Sequence, residues 1–373
     1  MSLRLRTAAA CMHARAHRSM RRSPQYAVAI TAVHKWEERF MREWLEYHLL
    51  VGVGHFFLFP NDCNADSATR KLLVPYERAG VVTVDGEFDC AKGAQTRAYR
   101  RSIERYGTRA AWMAFIDLDE FIVVRAPMEP RSCMGWGTCL ASVSSFVGGF
   151  NASSWPAVAL PWRLFGTSGH VARPHGPVTV AYYKRASSRQ AKDWRARSYK
   201  SVANMAACRA ATVHVCSEFA PGWRPGLFTV NGERLELGKS TLRKAHQKFG
   251  QIYLAHYRTR SLEDWLGRGK RGTADVNCRS TSCLAKGRAP AEYNAVTDRT
   301  IARNVEKRIR QCAWVSRRRG VKAESAVGLL REILLGEAGG TLGGSRYFEP
   351  SGCVACWLQA SGPACGGVAR SAS

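Results

Sequence analysis

Between Tyr26 and Phe121 the chain alternates short apolar runs with amphipathic segments. Tyr26–Val33 (YAVAITAV), His55–Phe59, Val81–Val84 and Trp112–Ile116 are nearly continuous apolar stretches, the pattern of strands buried on both faces. Glu37–Leu50 carries Phe40, Trp44, Tyr47 and then Val51 at helical spacing, with charges on the other side. Gly52 and Gly54 end that helix, Leu72–Ala79 is a helix stopped by Gly80, and Gln95–Tyr106 is a third. Strand–helix alternation predicts right-handed crossovers and a mostly parallel central sheet flanked by helices. Further on, Val158–Trp162 and Val178–Lys184 read as strands and Asp298–Arg310 as a basic helix. Ala126–Gly149 reads as an excursion rich in Pro, Gly, Ser and Cys. The reading divides the chain into a basic segment 1–23, an α/β domain 24–335 and an irregular, disordered Gly/Ser/Cys-rich tail 336–373.

The run Trp112–Phe121 reads WMAFIDLDEF, so apolar residues lead straight into Asp117, Asp119 and Glu120. Carboxylates at the end of a parallel strand sit at the carboxyl edge, where open α/β sheets bind ligands. In a pure strand Asp117 and Asp119 point the same way. Two like charges converging there are unfavourable unless a cation sits between them, and Mn²⁺ or Mg²⁺ held with a substrate diphosphate answers that need. On this reading, deleting Asp119 in the absence of metal relieves repulsion and is neutral or mildly stabilising. A D-x-D alone is a weak signal, and an ordinary strand-end turn with solvated acids gives the same letters.

The segments around it narrow the choice. EWLEYHLLVGVGHFFLF at Glu43–Phe59, LLVPYERAGVVTV at Leu72–Val84, QTRAYRRSIERYG at Gln95–Gly107 and FIDLDEF resemble glycosyltransferase family 92 and its GT-A-fold relatives. WRLFGTSGH at Trp162–His170, YKS at Tyr199–Ser201 and LAHYRTRSLEDWLGRGKRG at Leu254–Gly272 fit the same pattern, in order, over roughly Tyr26–Gly272. The resemblance implies a GT-A nucleotide-sugar-binding fold, a nucleotide-sugar donor, a Mn²⁺ or Mg²⁺ ion at the D-x-D, and sugar transfer, of a hexose, to a glycan-type acceptor hydroxyl. It implies Asp119 as direct metal ligand, with Asp117 nearer the ribose or acting through water, and His256 as a third ligand; His214 competes for that place. Lys200, with Arg197 just before it, is placed to neutralise diphosphate charge as the bond breaks. Gln95, Asn61, Asp66 and Glu37 are the expected nucleotide contacts. Trp36 stands where the family pattern expects asparagine. Glu218 and Asp193 are candidates for a carboxylate base, and Trp162, Phe165 and Trp265 for stacking on sugar faces or for core.

Composition adds a rival. The 373 residues hold 56 Lys and Arg against 29 Asp and Glu, a net charge of +27, which raises nucleic acid as a partner. The alternative function is therefore a basic nucleic-acid-associated protein on a nucleotide-binding scaffold without catalysis; a metal-dependent phosphodiesterase is a third. The basic residues are dispersed and no nucleic-acid motif accompanies Arg317–Arg319, so a basic enzyme handling anionic sugar nucleotides, near a membrane surface, suits the balance. Among 13 cysteines, Cys133/Cys139 and Cys278/Cys283 are spaced for loop bridges in an oxidising compartment, while Cys353, Cys356 and Cys365 form only half a zinc site. Asn151 opens a glycosylation sequon. The resemblance points to a Golgi or secretory membrane. Residues 1–23, with six arginines and no acid, have the pattern of an organellar transit peptide or a truncated cytoplasmic tail.

Overall fold

The computed structural model describes residues 23–62, 68–88, 93–125, 141–187, 194–271, 291–318 and 324–337. Four strands open the fold: β1 (Tyr26–His34), β2 (His55–Pro60), β3 (Val82–Val84) and β4 (Ala110–Phe115). They lie side by side in the order β4-β1-β2-β3, all parallel. Three helices connect them: α1 (Glu38–Leu50), α2 (Ala68–Arg78) and α3 (Ala94–Tyr106). The expected mostly parallel sheet is therefore present, its strands within a residue or two of the predicted bounds. Both faces are apolar because both are covered. Val28 and Ile30 of β1 with Phe56 and Leu58 of β2 face α1, whereas Ala29, Phe57 and Phe59 face α3. That double burial is why the strands read as unbroken apolar runs.

Beyond β4 the sheet becomes mixed. β5 (Glu120–Val124), β6 (Ala157–Leu164), β8 (Tyr199–Asn204) and β13 (Ile252–His256) extend it, with β7 (Lys184–Arg185) outside it. β8 runs antiparallel between β4 and β6; β13 joins β6 in parallel and β5 antiparallel. A short β11 (Leu227–Phe228) and β12 (Arg234–Leu235) close that side. β9 (Cys208–Ala211) and β10 (Cys216–Phe219) form a separate hairpin bridged by the Cys208–Cys216 disulfide. Sequence spacing had pointed instead to Cys133/Cys139 and Cys278/Cys283, which, like Cys353, Cys356 and Cys365, lie outside the described residues. Among the described residues no helix is long and apolar enough to cross a membrane.

Three expectations are corrected. Val178–Lys184 is not one strand: it is the single helical turn α5 (Val178–Ala181) followed by the two-residue β7, which pairs with β14 (Val296–Thr297). The Glu43 carboxylate explains the turn, because it accepts the Val178 and Thr179 N–H groups at 2.7 and 2.9 Å and so satisfies donors at the turn's start. Helix α1 is also not one-sided. Glu43, Glu46 and His48 are buried with its apolar residues, since α2 lies on one flank and α5, α7 (Thr300–Arg318) and α8 (Glu324–Leu335) on the other. Burial raises the Glu46 carboxyl to about 7, against the hydrogen bond it accepts from Tyr76. Last, the basic helix begins two residues later than expected, because Asp298 caps it by accepting the Thr300 N–H at 3.0 Å. The other helices are α4 (Val143–Gly148) and α6 (Leu262–Arg271).

Asp298 also joins β6, β7 and α7. Its Oδ2 lies 3.1 Å from Arg163 and 2.6 Å from Arg185, with the carboxylate side chain 5% exposed. Burial works to raise this carboxyl, but the Thr300 and Arg185 hydrogen bonds and the guanidinium charge hold it below its ordinary value. A depressed carboxyl contributes stability above its unfolded-state pKa and loses it as pH falls through the folded one. Asp298→Asn is therefore expected to cost about 3 kcal/mol at neutral pH, by leaving two part-buried arginines unpaired. Urea titrations of both proteins should show that difference shrinking as pH drops below ~4.

Candidate active site

The strand β4 ends at Phe115, and Asp117–Asp119 form the turn into β5. Glu120 N donates to Asp117 O at 3.0 Å, and the Asp117 N–H returns a bond to Glu120 Oε2 at 2.9 Å. The two aspartates therefore do not point the same way, as a continued strand would require. Each meets its own cation. Asp117 Oδ2 is 3.2 Å from Lys200 Nζ, at the start of β8, and Asp117 Oδ1 accepts from Gln95 at the start of α3. Asp119 Oδ2 is 2.8 Å from Arg268 on α6, while its Oδ1 faces His256 Nε2 at 3.3 Å, at the end of β13. Repulsion between the aspartates is thus offset by side chains of the chain itself.

Helix α1 holds this turn from behind. Trp44 Nε1 donates to Glu120 O at 2.9 Å and Tyr47 Oη to Ile122 O at 3.0 Å. His48 Nε2 accepts the Ile122 N–H at 3.2 Å while its Nδ1 is bonded to Trp44 O at 2.8 Å, which fixes the tautomer. Burial lowers this imidazole to about 3, so it remains neutral. β5 pairs with β13 through its other edge.

Protonation follows from burial and partners. Burial works to raise Asp119, but His256 and the Arg268 guanidinium outweigh it and hold the carboxyl well below the usual range. Burial also lowers His256, against the pull of Asp119. Of the two partners, Arg268 is the permanent cation, and its 2.8 Å pair holds the Asp119 charge. Burial raises Glu120, fully enclosed, well above its ordinary value. Lys200 is buried, which works to lower it, yet the facing Asp117 carboxylate raises it above its ordinary value.

Among the described residues no three of His, Cys, Asp and Glu group closely enough to hold a metal ion unaided. One pair nevertheless has the chemistry. Asp119 Oδ1 and His256 Nε2 are buried, 3.3 Å apart, and neither makes a hydrogen bond among the described residues. Two ligands of one octahedral cation bound at about 2.1 Å sit about 3 Å apart. The pair fits a hard cation that completes its shell with water and phosphate oxygens.

The remaining candidates divide. Gln95, Asp117, Asp119, Lys200 and His256 come together. Lys200 is a buried strand residue, not a solvated loop cation. His214 packs on the same Trp162 ring as His256, within electrostatic reach of Lys200 and Asp117, but its Nδ1 is bonded to Tyr199 O at 2.7 Å. Glu37 and Asn61 lie, both largely buried, after β1 and β2 at the same carboxyl edge. Glu218 does not join the cluster: on the β9–β10 hairpin it forms an exposed ion pair with Arg100, since residues so far apart in sequence gave no register for it. Asp66 and Asp193 lie outside the described residues. Trp162 packs edge-on against His256 at 4.4 Å, and Phe165 and Trp265 are buried core. Asn151 is exposed, with Ser153 Oγ donating to its side-chain oxygen at 2.7 Å.

Sequence reasoning missed Arg268 and His34. Arg268 carried no local signal among 56 basic residues. His34 ends β1, is 2% exposed, and its two ring nitrogens have no hydrogen-bond partner among the described residues; a histidine closing an apolar strand at a ligand-binding edge was the available clue. Next to it, Trp36 adopts φ 51° and is 57% exposed. Asparagine adopts that left-handed region far more readily than a bulky residue.

A mostly parallel sheet, helices on both faces and an acidic turn at its carboxyl edge give the chain a GT-A-like α/β fold. The profile of glycosyltransferase family 92 matches residues 25–274, and the chain belongs to that family. It is similar to a glycosyltransferase family 92 protein of Ricinus communis, 23% identical over 38% of this chain and 24% of that one. A galactan beta-1,4-galactosyltransferase of Arabidopsis thaliana is 34% identical over 22% of this chain and 18% of its own length. A family 92 protein of Oryza sativa is 25% identical over 27% and 17%. The matches span about a quarter or less of these relatives.

Two outcomes follow from the site. Asp119→Ala, expected from sequence to relieve repulsion, should instead destabilise the unliganded protein by about 1–3 kcal/mol, because it strips Arg268 and His256 of their partner; chemical denaturation reads this directly. Trp36→Asn should stabilise by about 1 kcal/mol in the same assay, by removing left-handed strain from a bulky residue.

Proposed function

We propose that the chain transfers a hexose from a nucleotide-sugar donor to a glycan hydroxyl, with Mn²⁺ or Mg²⁺ held by Asp119 and His256. The observation that carries this reading is the facing pair of buried atoms, Asp119 Oδ1 and His256 Nε2, without hydrogen bonds at the carboxyl edge of a family 92 sheet. A hard cation there, when bound, would neutralise diphosphate oxygens.

Bond breaking at the anomeric carbon leaves negative charge on the departing phosphate. Lys200 and Arg268 are fixed cations on either side of the turn, the first kept charged by Asp117. Such preorganised charge acts on the transition state more than on the ground state. Gln95 fixes the Asp117 carboxylate by donating to it. His34, Glu37 and Asn61 face the nucleoside side of the same edge. The segment shared with the Arabidopsis galactosyltransferase makes UDP-galactose the first donor to test.

Thermal melts with Mn²⁺ and UDP test the site apart from turnover. Wild type should gain roughly 2–3 kcal/mol at ~100-fold excess over the dissociation constant, and Asp119→Ala almost nothing. Hydrolysis of UDP-galactose should be abolished in that variant. An Asp119→Ala protein that turns over donor at the wild-type rate would sink the reading.

A further inference from the structure

Beside the start of β8 and the short β12, the fold leaves a cavity of about 520 Å³ whose wall includes Arg197, Arg234, Lys239, Arg243 and His246. That volume is within the range of small-molecule sites. Four of its ten lining residues are Arg or Lys, against 56 of 373 in the chain, so the cations are concentrated beyond the general basic bias. The lone carboxylate in the wall, Glu236, lies 3.6 Å from Lys239 and is 63% exposed. Among the described residues, Arg197, Arg234 and Arg243 have no ion-pair partner, although Arg234 donates to Pro225 O at 2.9 Å.

The walls are tied to one another. Tyr199 Oη donates to Lys239 O at 2.6 Å, Leu242 N to Arg197 O at 2.8 Å, and Ser198 bridges to Thr241. Only the path of the chain links the cavity to the reaction centre. Tyr199 lines the cavity, and the next residue, Lys200, pairs with Asp117. Because β8 runs antiparallel to β4, its start lies at the sheet edge that carries the Asp117 turn.

We propose that this cavity is the subsite for an acidic acceptor glycan, one whose sugars carry carboxylate or sulfate groups a few residues from the hydroxyl that is glycosylated. The proposal rests on the glycosyl-transfer reading. Unpaired guanidinium groups match carboxylate and sulfate oxygens by geometry as well as charge. A concave site at the same sheet edge as the Asp117 turn suits an acceptor chain better than a membrane surface or a nucleic-acid duplex.

The test measures fluorescence anisotropy of three labelled tetrasaccharides with the full chain: an oligogalacturonate, a sulfated galactan and a neutral β-1,4-galactan. The acidic probes should bind at least about tenfold tighter than the neutral one at low salt, and high salt should erase the advantage. Arg234→Ala/Arg243→Ala, at exposed positions, should cut acidic-probe affinity about tenfold with the melting temperature and neutral-probe affinity unchanged. The ratio of the two acidic probes separates carboxylate from sulfate. Equal binding of acidic and neutral glycans, or a double variant that binds the acidic probes like wild type, overturns the proposal. So does a single-stranded oligonucleotide or a phosphatidylserine vesicle that binds tighter than either acidic glycan and loses that binding in the double variant. Hydrolysis of UDP-galactose by wild type is read alongside: turnover without acidic preference sinks the subsite alone, and no turnover with acidic preference sinks the donor reading.

Discussion

The cost of burying ionised groups organises this molecule. Asp119, Glu120, Lys200 and His256 are each almost fully enclosed at one turn, where an uncompensated charge costs several kcal/mol. Every charge there is met. Lys200 from β8 balances Asp117, Arg268 from α6 balances Asp119, and burial pushes the Glu120 carboxyl toward its protonated form. The elements that carry these partners come from widely separated parts of the chain, so the turn draws β8, β13 and α6 to one edge of the sheet.

The second dependence is on α1. β5 follows the acidic turn directly, and among the described residues it pairs only with β13. Trp44, Tyr47 and His48 serve groups of Glu120 and Ile122 that the sheet leaves over. These side chains do what another strand would do, while leaving the turn open toward ligand. A polar-aromatic helix face is therefore a support for the site, and the burial of Glu43 and Glu46 on the same helix shows how little of it is solvent surface.

Much of this was legible in the amino-acid order. β1 to β4 and the helices between them follow from apolar runs and glycine stops, since local hydrophobic period and left-handed glycines such as Gly52 and Gly80 act within a few residues. Asp117 and Asp119 were legible as a ligand-edge pair because a buried strand runs into them. Lys200 and His256 were legible only as places in a family pattern. The Cys208–Cys216 bridge was not, because sequence proximity of other cysteines competed with it.

Sequence by itself determined the parallel α/β half, the position of the acidic turn and the membership of family 92. Tertiary structure alone decided which charges the acids meet, that the two aspartates diverge, that Glu218 stands apart, and that Arg268 closes the site. Secondary structure follows from a chain's near neighbours, whereas compensation of a buried charge depends on whichever residue the fold carries within about 4 Å. In a chain with 56 basic residues, composition offers many candidates for each acid, and only the packing of β8, β13 and α6 selects among them.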